Sequence, residues 1–354
     1  MKVLPFRGGF RWGRFSFTRT LSTRLLKPTA MQKYMLRCLQ LARQGEQTAP
    51  PNPMVGAVIV HNDRIIGEGY HVRCGEAHAE VNAVRSVRPE DRPLLRESTI
   101  YVSLEPCAHY GKTPPCAELI IREGIPRVVV GCVDPFAKVK GKGIQMLRDA
   151  GCEVIVGVCE AECQALNSHF FTFHTHKRPY ITLKWARTSD GFIDACRAAA
   201  TQKPLLISTP ETQRRSHRLR TTHQAILVGH RTLLLDKPSL TPRAWDGPAP
   251  LRCVLGNIPA AELPEGFEAF TDIDTLLSEL HRRNIQALLV EGGRQVLQSF
   301  IDRGLWDEAW EEIGTAPLNA EGVAAPTITV AVMEAEDFGG HTFVHYTRPS
   351  STLP

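Results

Sequence analysis

The stretch Thr99–Gly124, TIYVSLEPCAHYGKTPPCAELIIREG, decides how the chain is read. Its opening TIYVSL is a β-branched and aromatic run that predicts a strand, and CAELIIREG predicts a helix. Two cysteines punctuate the connection, Cys107 just after the strand and Cys116 at the opening of the helix. Thiolates and neutral imidazoles are zinc ligands, and a catalytic zinc site keeps its fourth position for water. A third ligand lies upstream: GEAHAEVNAV (Gly75–Val84) sets His78 at the front of another helix, with Glu80 two residues on. Glu80 is not needed as a ligand. From the first helical turns it can take a proton from an activated water and pass it to a leaving amine.

Outward from this stretch the chain alternates helix and strand. A helix from Met31 to about Gln44 precedes strands near Val55–Val60 and Ile65–Tyr70, the helix after Glu76, TIYVSL and CAELIIREG. The strand RVVVGCV, the helix KGIQMLRDAG and the strand EVIVGV follow, an order that predicts helices packed on one mixed sheet. NSHFFTFHTHKRP reads as a helix end and a linker. The alternation resumes at YITLKWA and runs through PETQRRSHRLR, QAILVG, LRCVLG, IDTLLSELHRRN, QALLVEGG and RQVLQSFIDRG to strand-like DEAWEEIG and HTFVHY. The expected organisation is a basic leader over 1–30, α/β domains over 31–178 and 179–348, and a tail over 349–354.

Composition sets the outer bounds. A chain of 354 residues, 43% hydrophobic and 22% charged, is ordinary for a globular protein and longer than one core usually serves. Seven of its 42 basic residues and none of its 37 acidic ones fall in residues 1–30. The body, with 35 basic against 37 acidic residues, therefore has no charge footprint for nucleic acid. The Arg-rich, acid-free leader shares the composition of organelle transit peptides, but the reading preferred is a disordered leader ahead of Met31 on a cytoplasmic protein. No run approaches the roughly 18 apolar residues that span a bilayer. The ten cysteines form no short regular framework, so a disulfide scaffold is not expected.

Taken singly, His78 reads as a helix cap, Glu80 as a solvated acid, and the cysteines as core thiols or half of a structural zinc site. Together they resemble the signature of zinc nucleobase deaminases, H-x-E followed by P-C-x-x-C, with eight residues rather than two between the cysteines. That longer loop, with PPNPMVGAVIV (Pro50–Val60), GEGYH (Gly67–His71) and DPFAKVKGKG (Asp134–Gly143), closely resembles the bifunctional deaminase/reductase family of riboflavin biosynthesis. The resemblance implies a cytidine-deaminase-like three-layer domain that deaminates 2,5-diamino-6-(5-phosphoribosylamino)pyrimidin-4(3H)-one. It assigns zinc to His78, Cys107 and Cys116, proton transfer to Glu80, and the substrate pocket to Asn52 and His71. His109 and Lys112 in the zinc loop become candidate phosphate contacts.

The second half lacks G-x-G-x-x-G after a strand, so the usual dinucleotide fingerprint is missing. EGGRQVL offers instead a glycine pair between strand and helix, where backbone N–H groups can meet a phosphate. YITLKWARTSDG, AILVGHRTLLLDKPSLTPR and LLVEGG resemble the reductase half of the same family. That implies a dihydrofolate-reductase-like domain using NADPH to reduce the ribosyl group of 5-amino-6-(5-phosphoribosylamino)uracil to ribityl. By matched position Ala186, Thr232, Asp236, Gly293, Arg294, Gln295, Val296, Leu297, Gln298 and Ser299 would touch NADPH, and Lys184, Arg220, Leu240, Arg243 and Glu291 the phosphorylated substrate. The sequence departs from the family at Lys237, where a second acid is common, and at Leu206, matched to a common Trp. The expected partners are this phosphorylated pyrimidine and further copies of the chain, with no nucleic acid or membrane.

Overall fold

The computed structural model describes residues 28–110, 114–136 and 140–348. The leader up to Lys27, the tail from Pro349 and Lys112 lie outside the described residues. The first helix, α1 (Ala30–Ala42), opens one residue before Met31 on a reciprocal cap. The Thr29 hydroxyl accepts the Gln32 N–H at 3.3 Å, and the Gln32 side chain accepts the Thr29 N–H at 2.9 Å.

The elements that follow are β1 (Gly56–His61), β2 (Arg64–Tyr70), α2 (Ala79–Ser86), β3 (Thr99–Leu104), α3 (Cys116–Arg122), β4 (Arg127–Cys132), α4 (Lys142–Asp149), β5 (Glu153–Val156), α5 (Glu160–Leu166) and α6 (Ser168–His176). They build a five-stranded mixed sheet in the order β2-β1-β3-β4-β5. β1 runs antiparallel to β2 and β3, whereas β3, β4 and β5 are parallel. Strand alternation divides the core between the two faces. Ala57, Ile59, Ile100, Val102, Val128 and Val130 pack against α2, α3 and α4; Val58, Val60, Tyr101 and Val129 pack against α1. This three-layer arrangement is the cytidine-deaminase-like fold.

The second glycine of GEGYH sets the height of α2 above the sheet. A Cβ on Gly69 would stand 2.3 Å from the Ala83 nitrogen and 2.6 Å from the Ala79 carbonyl oxygen. Only a bare backbone lets α2 lie this close, and α2 carries Glu80. The stretch NSHFFTFHTH, expected as a helix end and linker, departs from that reading, because Ser168–His176 is a helix in its own right. Phe170 and Phe173, one turn apart, are both buried, and that burial repays the helix.

The second half contains β6 (Tyr180–Arg187), β7 (Phe192–Ala195), α7 (Pro210–Thr222), β8 (Ala225–Gly229), α8 (His230–Asp236), β9 (Leu251–Leu255), β10 (Phe267–Phe270), α9 (Ile273–Arg282), β11 (Ala287–Val290), α10 (Arg294–Asp302), β12 (Glu308–Ile313), β13 (Gly322–Ala324), β14 (Val332–Phe338) and β15 (His341–Thr347). Its eight-stranded sheet has the order β10-β9-β8-β11-β6-β12-β15-β14. The six strands from β10 to β12 are parallel, and β15 and β14 close one edge antiparallel. The short pair β7 and β13 stands apart from it. β7, α8, β10, β13 and β14 were not legible in the sequence; β14 is exposed along its whole length and has no alternation to betray it. Helix α6 bridges the halves, with the Phe173 ring tilted against His281 at 4.6 Å and His169 against Tyr180 at 4.6 Å. Among the described residues no helix is long and apolar enough to cross a membrane.

Candidate active sites

His78 occupies the N-cap position of α2 in extended backbone, yet its side chain makes no capping bond. The imidazole turns instead toward the cysteines: Nδ1 lies 3.6 Å from Cys107 Sγ and 3.4 Å from Cys116 Sγ. All three ligand atoms fall within 4.8 Å of one another. A tetrahedral zinc with bonds of about 2.0 Å to nitrogen and 2.3 Å to sulfur separates those atoms by about 3.5 Å, so the triad fits the ion. The donors share protons that zinc must displace on binding. The Cys116 thiol and the His78 imidazole hydrogen-bond Cys107 and hold its thiol down to about 4, and the bond to Cys107 pushes His78 up to about 9. The Cys116 backbone N–H, at the opening of α3, also points at Cys107 Sγ, 3.3 Å away.

Glu80 is buried beside this triad, where loss of solvent pushes its carboxyl up to about 6 against the pull of His78. A cleft of about 470 Å³ opens here, lined by His78, Glu80, Cys107, Asn52, His71 and His109 among others. His71 is buried and neutral, its pKa lowered by desolvation. The Ala77 carbonyl, 3.1 Å from Nδ1, can only accept, so Nδ1 carries the proton and Nε2 accepts from the Asn52 amide at 3.1 Å. The His71 ring meets His78 edge-on at 5.3 Å.

Two acids of this cleft were not singled out from the sequence. Glu105 accepts backbone N–H groups from Gly141 and Gly143 at 2.9 Å each, and from Asp134 and Ile144 at 3.3 and 3.4 Å. It thereby anchors the start of α4 beneath the zinc loop. Burial pushes Asp134 up to about 6, and its carboxylate accepts the Phe136 N–H at 2.7 Å. The signal was present in SLEPC and DPFAKVKGKG, but nothing local says that a loop glutamate will cap a helix some 38 residues downstream.

The second cleft, about 1010 Å³, lies at the carboxyl ends of the parallel strands, the usual ligand position in such sheets. It brings together Lys184, Ala186, Arg220, Thr232, Asp236, Arg243, Glu291 and the run Gly293–Leu297. Gly293, at φ +75°, turns the chain into α10, whose first turn has no side-chain cap and so leaves N–H groups toward the cleft. Arg220 and Glu291 form a two-point pair at 3.0 and 2.6 Å, and Arg220 also reaches the Thr241 carbonyl at 3.0 Å. Burial would raise Glu291, but Arg220 and Lys184 hold it below its ordinary value. The Arg243 guanidinium is exposed and makes no ion pair among the described residues. Asp236 bonds Arg197 at 2.5 Å, and Leu206 is 79% exposed on the cleft wall.

Three matched residues do not line this cleft. Leu240 is buried in a small core with Ile226, Val254 and Leu289. Gln298 bonds Asp302 and Thr327, and the Ser299 hydroxyl donates back to the Gln295 carbonyl, because both lie past the first turn of α10.

The first half, with its His/Cys/Cys cluster and buried glutamate, defines a zinc deaminase, and the second a nucleotide-dependent reductase. Residues 28–132 match the model of the cytidine and deoxycytidylate deaminase zinc-binding region, and residues 179–311 match that of the RibD C-terminal domain. The riboflavin biosynthesis protein RibD of Aquifex aeolicus is 39% identical over 308 residues, covering 78% of this chain and 84% of that protein. RibD of Bacillus amyloliquefaciens is 36% identical over 333 residues, 83% of this chain and 86% of that protein. The crystal structure of a diaminohydroxyphosphoribosylaminopyrimidine deaminase/5-amino-6-(5-phosphoribosylamino)uracil reductase from Thermotoga maritima superposes with a TM-score of 0.80 at 33% identity, covering 89% of this chain and 98% of that one. The chain belongs to the RibD family.

Proposed function

We propose that the chain catalyses two successive steps of riboflavin biosynthesis. It deaminates 2,5-diamino-6-(5-phosphoribosylamino)pyrimidin-4(3H)-one in the first domain, then reduces the ribosyl group of 5-amino-6-(5-phosphoribosylamino)uracil to ribityl with NADPH in the second. The observation that carries the reading is the convergence of His78, Cys107, Cys116 and Glu80 in one cleft of a chain whose other half has a separate strand-end cleft.

His78, Cys107 and Cys116 would hold zinc, whose Lewis acidity would make water a nucleophile near neutral pH. Glu80 is placed to take a proton from a water as its oxygen bonds the amine-bearing ring carbon and to deliver that proton to the exocyclic amine; the C–N bond then breaks, ammonia leaves, and the carbon keeps the water oxygen as a carbonyl. Asn52 orients the pyrimidine, held in place by His71. In the second domain NADPH would supply the hydride. The Gly293 turn and the first residues of α10 would hold its phosphates, and Ala186, Thr232 and Asp236 would contact it. Arg243 and Lys184 grip the substrate phosphate, and Arg220 presents Glu291 to the sugar. Charged substrate and cofactor do not cross membranes unaided, which supports a cytoplasmic setting. Assembly with further copies is supported by β14, an edge strand on which Val332 and Met333 are 52% and 65% exposed.

Glu80→Gln tests the division of roles. Zinc should remain near one per chain while deamination falls about 100-fold, the usual scale of a lost general acid/base. Loss of the metal together with the carboxylate would make Glu80 a ligand and overturn the assignment.

A further inference from the structure

The wall of the deaminase cleft is not built from the first domain alone. Asn284 and Gln286, which lead into β11 of the second domain, line it together with Asn52, His71 and Glu80. Gln286 is buried and its backbone is fixed on both sides. Its N–H donates to the Gln224 side chain at 2.7 Å, and its carbonyl accepts the Tyr180 N–H at 2.8 Å. Only the side chain is left to reach outward, and its amide donates to the Pro51 carbonyl at 2.7 Å across 235 residues of sequence.

What that bond holds is the turn bearing Asn52. On its far side the turn is clamped by Asn167, which accepts the Met54 N–H at 2.8 Å and donates to the Met54 carbonyl at 2.9 Å. Asn52 therefore sits between two anchors, one from each domain, and its amide in turn fixes the neutral His71 that lies edge-on to His78. A proline carbonyl on a half-buried turn has few ways to be satisfied, and removing its donor leaves an acceptor that the turn must move to relieve.

We infer that the second domain completes the deaminase site, with Gln286 as a positioning residue that acts through Asn52 on the bound pyrimidine. The inference rests on the reading of Asn52 as a substrate contact. Deamination in this enzyme thus depends on a residue of the reductase domain that touches none of the reductase cleft.

The test uses the full chain, zinc-loaded, with Gln286→Leu and Gln286→Met, which keep bulk and lose the donor, alongside Asn52→Ala and the Gln286→Leu/Asn52→Ala double variant. The expected result is a deaminase KM raised about five- to tenfold in both Gln286 variants, the scale of one lost hydrogen bond, with kcat changed less than twofold. Bound zinc and the reductase kcat/KM should stay as in the parent, the latter showing that the chain is folded. The double variant should be no worse than Asn52→Ala alone, since both act on one contact. A parental KM in the Gln286 variants, beside a raised KM in Asn52→Ala, overturns the inference and leaves the role of Asn52 standing. Unchanged kinetics in Asn52→Ala overturns both, and additive losses in the double variant show that Gln286 does not work through Asn52. Should Gln286→Leu lose both activities, Gln286→Met decides the matter on the same readouts.

Discussion

Gly143→Ala would strike the zinc site from below. A Cβ on Gly143 would stand 1.9 Å from the carbonyl oxygen of Pro106, the residue that precedes the ligand Cys107. Such contacts are essentially never shorter than 3.0 Å, so α4 and the zinc loop must separate by more than about 1 Å, well over the roughly 0.5 Å within which a metal ligand must be held. The same movement pulls the Gly143 N–H from Glu105, which it meets at 2.9 Å, so no cheap relaxation is open to the helix start. The overpacking is expected to cost about 1–3 kcal/mol of stability and to weaken zinc binding roughly 10–100-fold. Competition with a chromogenic chelator reads the affinity, thermal melting reads the stability, and NADPH turnover on the deaminated intermediate reports on the undisturbed second domain. A variant with parental zinc affinity and deaminase rate would refute the claim that this close approach sets the ligand loop.

Two further outcomes follow from the reductase cleft and from the junction between the halves. Arg243→Lys should raise the reductase KM for the phosphorylated intermediate about tenfold, because an ammonium cannot replace a two-point guanidinium grip, while NADPH affinity and deamination hold; a changed KM for NADPH would move Arg243 out of the substrate site. His169 and His223, their rings 5.5 Å apart, are both lowered by burial, His169 to about 4. A histidine depressed on folding gives stability that is whole above its unfolded value of about 6.5 and is lost as pH falls through that value toward 4. Melting temperature should therefore drop across this window, with His169 accounting for up to roughly 3 kcal/mol, and His169→Gln should make the drop shallower; an identical slope in that variant would refute the assignment.

What was legible in the sequence was whatever chemistry the chain writes locally. His78 and Glu80 share a helix start, and Cys107 and Cys116 flank one loop, so spacing set each pair together, and the resemblance to zinc deaminases joined the two pairs. Helix–strand alternation, with apolar β-branched runs at β1, β3 and β4, predicted the first sheet for the same reason. Glu105 was opaque because its meaning is the set of N–H groups it caps, and Gln286 because its one outward bond joins the two domains. The helix α6 was masked by its histidines, whose polarity reads as linker until Phe170 and Phe173 are seen buried. Matching by position carried Leu240, Gln298 and Ser299 toward the second cleft, but burial of Leu240 in a core and the turn of α10 direct these side chains elsewhere.

The most direct measurement of the central claim supplies the zinc-loaded chain with 2,5-diamino-6-(5-phosphoribosylamino)pyrimidin-4(3H)-one and records ammonia and NADPH in the same reaction. Ammonia should appear with or without NADPH, and one NADPH should be oxidised for each ammonia released, after it and never ahead of it. NADPH oxidation without ammonia release, or the absence of ammonia from fully zinc-loaded protein, would contradict the account.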